Sequence, residues 1–333
     1  MDYKSKYLKY KTKYLNLSKI QSGGTIIPYN TYIPIHHCGI FLDTETQNKL
    51  LVLLYLSYNN PISKQLNPDR LQLLENEHPN VLKYIDRQKI DENITKKIKQ
   101  YYYSHLSDPR NNYYIFDLGP NEFHFLENLV RYNNDRTLMF GNVSFTMSDD
   151  HKESMIHDII NGYTNIYTNE LPIVINIDNI IIQYNTSTQN LNAKIIPFDT
   201  HVMVNSGNQT FIPDKALCPP ENFTGAPINE KSCVFYLGSI FHYILSNGIP
   251  VYPDFGTNLF EMIEHMRNPS RYNEFDVSPK LRQYKDLTMR MLQKNPDDRP
   301  RLYEIHDTLY SFKQLHLIKP AIRRQSDISA DDE

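Results

Sequence analysis

The stretch Asp286-Leu287-Thr288-Met289-Arg290-Met291-Leu292-Gln293-Lys294-Asn295-Pro296-Asp297-Asp298-Arg299-Pro300 joins an apolar-periodic segment to a turn bounded by two prolines. Proline cannot continue a helix from its interior, so a helix predicted over Leu281 to Gln293 has to stop there. A second helix is predicted over Leu302 to Leu315. Working back along the chain, the same periodicity predicts helices over Ser232 to Ser246, Leu259 to Met266, Asp149 to Ile166 and Glu122 to Val130.

Ahead of these helices the pattern changes. Ile40-Phe41-Leu42 and Leu50 to Leu56 are short apolar runs set off by turn residues, as are Val81 to Ile85 and Tyr113 to Phe116, the last closing on Asp117-Leu118-Gly119-Pro120. They read as strands of a small antiparallel sheet. Asn67-Pro68-Asp69 starts a short helix that His78-Pro79-Asn80 ends. Tyr101-Tyr102-Tyr103 reads as an exposed segment before a strand. Within the helical part, Ile175 to Ile182 and Ala193 to Ile196 are two apolar runs joined by a polar loop, the pattern of a hairpin. A β-rich first part followed by a mostly helical second part predicts an α+β fold in two lobes, with the cleft between them as the default binding site.

Composition narrows the function. The chain has 333 residues, 40% of them apolar, which is enough for a sizeable core. Cys38, Cys218 and Cys233 are its three cysteines and show no Cys-x-x-Cys spacing, so neither a disulfide framework nor a zinc ribbon is expected and a reducing compartment fits. The eleven glycines contain no Gly-x-Gly and no Gly-Lys, which excludes an ordinary dinucleotide fingerprint and a Walker A loop. No run approaches the length of a membrane span.

Charge is unevenly distributed. Lys4, Lys6, Lys9, Lys11, Lys13 and Lys19 face only Asp2, so residues 1–20 carry +5, and the total of -3 leaves -8 on the remainder. An acidic body disfavours broad nucleic-acid binding. Tyr3, Tyr7, Tyr10 and Tyr14 fall on one helical face among those lysines, making residues 1–24 an amphipathic arm and hinge suited to an anionic surface or to packing on its own domain. Residues 320–333 are a polar tail ending in Asp331-Asp332-Glu333, expected to be disordered. The arm, ending in Gly23-Gly24, resembles the Tyr/Lys-rich openings of many proteins of mimivirus-type giant DNA viruses. That resemblance implies a viral protein located in the host cytoplasm or the virion.

Four stretches between Ile33 and Leu315 together resemble the protein kinase family. Asp286 to Pro300 is similar to the family's closing helix-turn with its characteristic arginine, here Arg299. Pro219-Pro220-Glu221 resembles the Ala-Pro-Glu end of an activation segment, and Val234-Phe235-Tyr236-Leu237-Gly238-Ser239-Ile240-Phe241 the central helix after it. His78-Pro79-Asn80-Val81 resembles the turn after helix αC, whose glutamate aligns with Asp69, and Lys194-Ile195-Ile196-Pro197-Phe198-Asp199 the strand leading into Asp-Phe-Gly. The resemblance implies a kinase-like domain over 25–319, with a small β-rich N-lobe to about 118 and a larger helical C-lobe from about 119. It also implies a buried ion pair between Glu221 and Arg299, since a carboxylate and a guanidinium can bond in bidentate fashion.

The chemistry is missing from that outline. Phosphoryl transfer in this family needs a lysine on the phosphates, two metal-holding side chains and an aspartate base. Leu50 to Ser57, the strand that should bring the lysine, has none. Pro197 stands at the metal-binding aspartate and cannot ligate magnesium. Counting back from Asn179, which matches the catalytic-loop asparagine, the His-Arg-Asp triplet falls on Pro172-Ile173-Val174, and valine is no base. Cys233 replaces the aspartate that braces the catalytic loop. Gly39 alone remains of the glycine-rich loop. Five losses in one direction indicate a pseudokinase, for which no catalytic residue and no cofactor are expected.

Three functions fit this reading. One is an inactive kinase fold that binds or scaffolds a protein partner, its interlobe pocket filled by Phe41 and neighbouring leucines. Another is an unorthodox Ser/Thr kinase that holds ATP and magnesium through Asn179 and Asp199. The third is a virion structural protein with a vestigial kinase fold.

Overall fold

The computed structural model describes residues 38–42, 49–55, 78–85, 92–101, 112–126, 138–140, 143–145, 147–168, 174–185, 188, 190–197, 205–206, 209–210, 219–224, 228–252 and 272–313. Expectations for the basic arm with Lys4 to Lys19, for the helices at Asn67 to Glu77 and Leu259 to Met266, for the side chain of Phe41, for Asp199 and for the acidic tail lie outside the described residues.

The fold is mixed α and β, with small antiparallel sheets and several helices. Strands β1 (Cys38–Leu42), β2 (Lys49–Tyr55), β3 (Lys83–Ile85) and β4 (Asn112–Gly119) form a four-stranded antiparallel sheet in the order β1-β2-β4-β3. Leu51 faces Ile40 on one side and Phe116 on the other, and all three side chains are buried. The connection from β3 to β4 carries helix α1 (Glu92–Tyr101), which was not predicted and whose last residue belongs to the run read as an exposed segment. Ile98 is fully buried while Lys96 and Lys99 are exposed.

Beyond Gly119, at φ 68, the chain turns through Pro120 and Asn121 into β5 (Glu122–Phe125). The helix predicted over Glu122 to Val130 is therefore wrong at its start. Phe123 and Phe125 are buried with Glu122 and His124 half-buried between them, and this period of two is satisfied by antiparallel pairing with β8 (Ile180–Asn185). The two phenylalanine rings meet edge to face at 6.4 Å. β8 continues into β9 (Asn190–Ile195), completing a three-stranded sheet in the order β5-β8-β9. Two short hairpins, β6 (Leu138–Phe140) with β7 (Val143–Phe145) and β10 (Asn205–Ser206) with β11 (Gln209–Thr210), were not predicted. Strands of two or three residues are too short to show alternation.

Helix α2 (Asp149–Thr168) lies on β9 and buries Met155, Ile156, Ile159, Ile160, Tyr163 and Ile166. Burial of such side chains is worth about 1.5–3 kcal/mol each. Helix α3 (Glu230–Leu245) is buried from Ser232 onward, so it is apolar all round, as a core helix must be. Asn229 caps its start, accepting from Ser232 N at 3.1 Å. Asn247 (φ 58) and Gly248 (φ 93) end it, with Gly248 N donating to Tyr243 O at 2.8 Å. Lys152 of α2 donates to Leu245 O at 3.2 Å, a cation at the negative end of α3. Helix α4 (Arg282–Met291) packs on α3 so closely that a Cβ on Gly238 would stand 2.9 Å from Met291 Cβ. Helix α5 (302–313) follows the Asn295-Pro296 turn, where Asn295 Oδ1 accepts from Asp297 N at 3.3 Å. No helix among the described residues is long and apolar enough to cross a membrane.

Candidate functional site

The residues that sequence reasoning placed at the chemical centre lie on one turn and one hairpin. Val174 and Ile175 lead into a single 3-10 turn, Ile177–Asn179, from which β8 starts. Asn176 caps the turn, its Oδ1 accepting from Ile177 N at 2.6 Å. Asn179 returns the bond: its Oδ1 accepts from Asn176 N at 3.0 Å, and its own N–H donates to Asn176 O at 3.0 Å. The carbonyl of Asn179 accepts from Ile196 N at 2.7 Å, fixing the turn to the residue before Pro197.

Burial decides what this arrangement can do. Asn179 is fully buried, Val174 is 3% exposed, and Pro197 is buried as well. The Asn179 carboxamide is occupied as a cap inside the protein rather than presented to a ligand. Val174 and Pro197 contribute no ionisable or metal-binding atom. Asp178 is half-buried beside Asn179, and the other candidate, Asp199, falls outside the described residues. Among the described residues no group of three His, Cys, Asp or Glu side chains lies close enough to hold a metal ion. Cys233 is buried near the start of α3.

Glu221 and Arg299 meet. Guanidinium Nη1 donates to Glu221 Oε1 at 2.6 Å and Nη2 to Oε2 at 2.8 Å. The remaining donors go to backbone carbonyls: Nε to Gln293 at 2.7 Å, Nη1 to Lys231 at 2.9 Å and Nη2 to Lys294 at 3.1 Å. A guanidinium has five N–H donors, and all five are used. Its carbon also lies 4.8 Å from the centre of the Phe235 ring. Ser232 Oγ adds a bond to Glu221 Oε1 at 3.1 Å. Arg299 thereby ties the turn before α5, the end of α4, the start of α3 and the Pro219-Pro220-Glu221 segment into one unit. This is a structural arrangement, with no group left over for chemistry.

Two charged groups escaped sequence reasoning. The strand read as Leu50 to Ser57 begins instead at Lys49, whose ammonium donates to Pro120 O at 3.2 Å, Asn121 O at 3.0 Å and Glu122 Oε1 at 3.1 Å. It braces the crossover from β4 to β5. A lysine just ahead of an apolar run was visible, but its partners lie 71 to 73 residues away. Asp158 of α2 accepts from Ala193 N at 2.9 Å, and burial pushes its carboxyl up to about 6, against the pull of that bond, of the Asn80 amide and of Lys313. Its sequence signal was an acid at helical spacing from buried Met155 and Gly162. No family model matches the chain, and no curated protein does either.

Proposed function

We propose that this chain has the two-lobed fold of the protein kinase family without its catalysis, and that it acts as a binding or scaffolding module for a protein partner in the host cytoplasm or the virion of a giant DNA virus. The observation that carries the loss of catalysis is the chemistry of residues 174–197. Where the resemblance implies a base and a metal-binding aspartate, there are the buried apolar residues Val174 and Pro197. Where it implies the asparagine for a second metal, Asn179 spends its side chain on a buried cap. No acid or base remains at these positions to accept a hydroxyl proton.

The architectural half of the reading draws support from three features. A four-stranded antiparallel sheet opens the described chain, and long helices dominate its second half. The hairpin of β8 and β9 lies between the turn with Asn179 and Pro197. Glu221 after two prolines pairs with Arg299 in the turn before the last described helix. A charged pair whose bonds are all internal suits a fold kept for its shape.

Titration of the full chain with ATP and magnesium in a thermal-shift assay, beside a radiolabelled phosphotransfer assay, tests the proposal. The expected result is no rise in Tm and no incorporation into the protein or an added substrate. Incorporation that disappears in Asn179→Ala would replace it with an active kinase.

A further inference from the structure

The turn 78–80 enters β3 beside the end of β9, and α2 packs against both. Val81 pairs with Ile195 in a parallel bridge. Leu82 N donates to Ile195 O at 2.8 Å, and Ile195 N donates to Asn80 O at 2.9 Å. The Asn80 amide donates to Asn192 Oδ1 at 3.1 Å and to Ala193 O at 3.2 Å. From α2, a Cβ on Gly162 would come to 2.4 Å from Asn80 O, so glycine is required for the approach. Four-stranded and three-stranded sheets are thus sewn together through one turn.

Two protonatable groups accept backbone N–H bonds beside this seam, one tying α2 to β9 and one bracing the turn that enters β3. Asp158 Oδ2 takes Ala193 N–H on the β9 side, and His78 Nδ1 takes Asn80 N–H at 3.2 Å on the turn side. An imidazole nitrogen accepts only while it carries no proton, and a carboxyl group in this half-buried place is desolvated only when ionised at a cost. We propose that Asp158 and His78 form a pH-responsive latch on the seam between the two sheets, with protonation relieving the desolvation of a carboxylate on one side and breaking a hydrogen bond on the other. The latch is independent of what the chain binds.

The signs follow from the environment of each group. Burial holds the Asp158 carboxyl at about 6, above its ordinary value of 3.8, so the folded state binds the extra proton and this contribution is lost as pH rises through about 6. Burial holds His78 below its ordinary 6.5, so its contribution is lost as pH falls from 6.5 through its lower folded value. The two limbs oppose each other. Around the seam, Lys313 on α5 favours the ionised carboxyl, Lys194 on β9 alternates to the face opposite Ala193, and Lys83 at the start of β3 is exposed.

Hydrogen exchange of the full chain from pH 5 to pH 8, corrected for intrinsic rates, reads the latch in peptides covering 78–85 and 190–197, with 282–291 in α4 as internal reference. In the wild type, protection of 190–197 relative to the reference should fall as pH rises from 5 toward about 6 and level off above it, and a ratio that stays flat from pH 5 to pH 6 would overturn the proposal without any variant. Asp158→Asn keeps an acceptor for Ala193 N–H and should raise protection of 190–197 by about a hundredfold at pH 7.5, as expected for a shift of some two pH units, and by only about tenfold at pH 5, where the folded carboxyl is still largely protonated. His78→Gln should remove the acidic loss in 78–85. Unchanged protection in Asp158→Asn at pH 7.5, or a parallel pH profile in both variants and the wild type, counts against it.

Discussion

Arg299→Ala is the sharpest test of how the helical part is held. The substitution removes five N–H donors at once, leaving the Glu221 carboxylate and the carbonyls of Gln293, Lys231 and Lys294 without those bonds. With Arg299 2% exposed, little water can replace them. Removing one partner of a buried pair costs about 3–5 kcal/mol, a large share of the roughly 5–15 kcal/mol that keeps a domain folded. At about 2–4 °C per kcal/mol for a domain of some 200 residues, Tm should fall by roughly 6–20 °C. Arg299→Lys keeps a charge but has three donors and no planar fork, so it should also be destabilised, by about 2 kcal/mol or more. The double variant Glu221→Leu with Arg299→Met should lose less than the sum of the two single changes, because neither charge is left alone. Scanning fluorimetry and urea unfolding of the wild type, Arg299→Ala, Arg299→Lys, the double variant and its two single changes measure this. An Arg299→Ala protein within about 1 kcal/mol of wild type would refute the claim that this pair organises the segment.

Gly162→Ala pushes a methyl group into the Asn80 carbonyl and should cost about 1–3 kcal/mol in urea unfolding, with added exchange at residues 78–85. Asn179→Ala leaves Asn176 N–H buried without its acceptor and should lower stability by about 1–3 kcal/mol by the same assay, while nucleotide has no effect on either protein. Lys49→Met keeps the apolar stem but deprives two carbonyls and Glu122 of their donor; a loss of about 1–2 kcal/mol is expected, smaller than for Arg299 because Glu122 is 39% exposed.

The helices were legible where they were long. Fourteen successive residues of α3 are buried, and a mostly apolar segment buried on all sides for that length has few other places to go. α2 announced its buried face through Met155, Ile159 and Ile166. β5 was misread because Glu122-Phe123-His124-Phe125-Leu126 is too short to separate a period of two from a helical one, and the choice fell to β8, which is nearly sixty residues further on. The candidate site divides in the same way. That Val174 and Pro197 carry no acid or metal ligand follows from their identity, whereas the occupation of Asn179 by its own turn required coordinates.

Residue chemistry and local periodicity thus settled the long helices α2 and α3, the lack of any acid or metal ligand at Val174 and Pro197, and where the charge lies, but neither α1 nor β5. Packing settled what the remaining polar groups are used for: Arg299 on four segments, Lys49 on a crossover, Asp158 and Asn80 on the seam between sheets. The reason is one of range. Apolar patterning acts over a few residues along the chain, while a buried donor or acceptor is satisfied by whatever backbone the fold brings beside it.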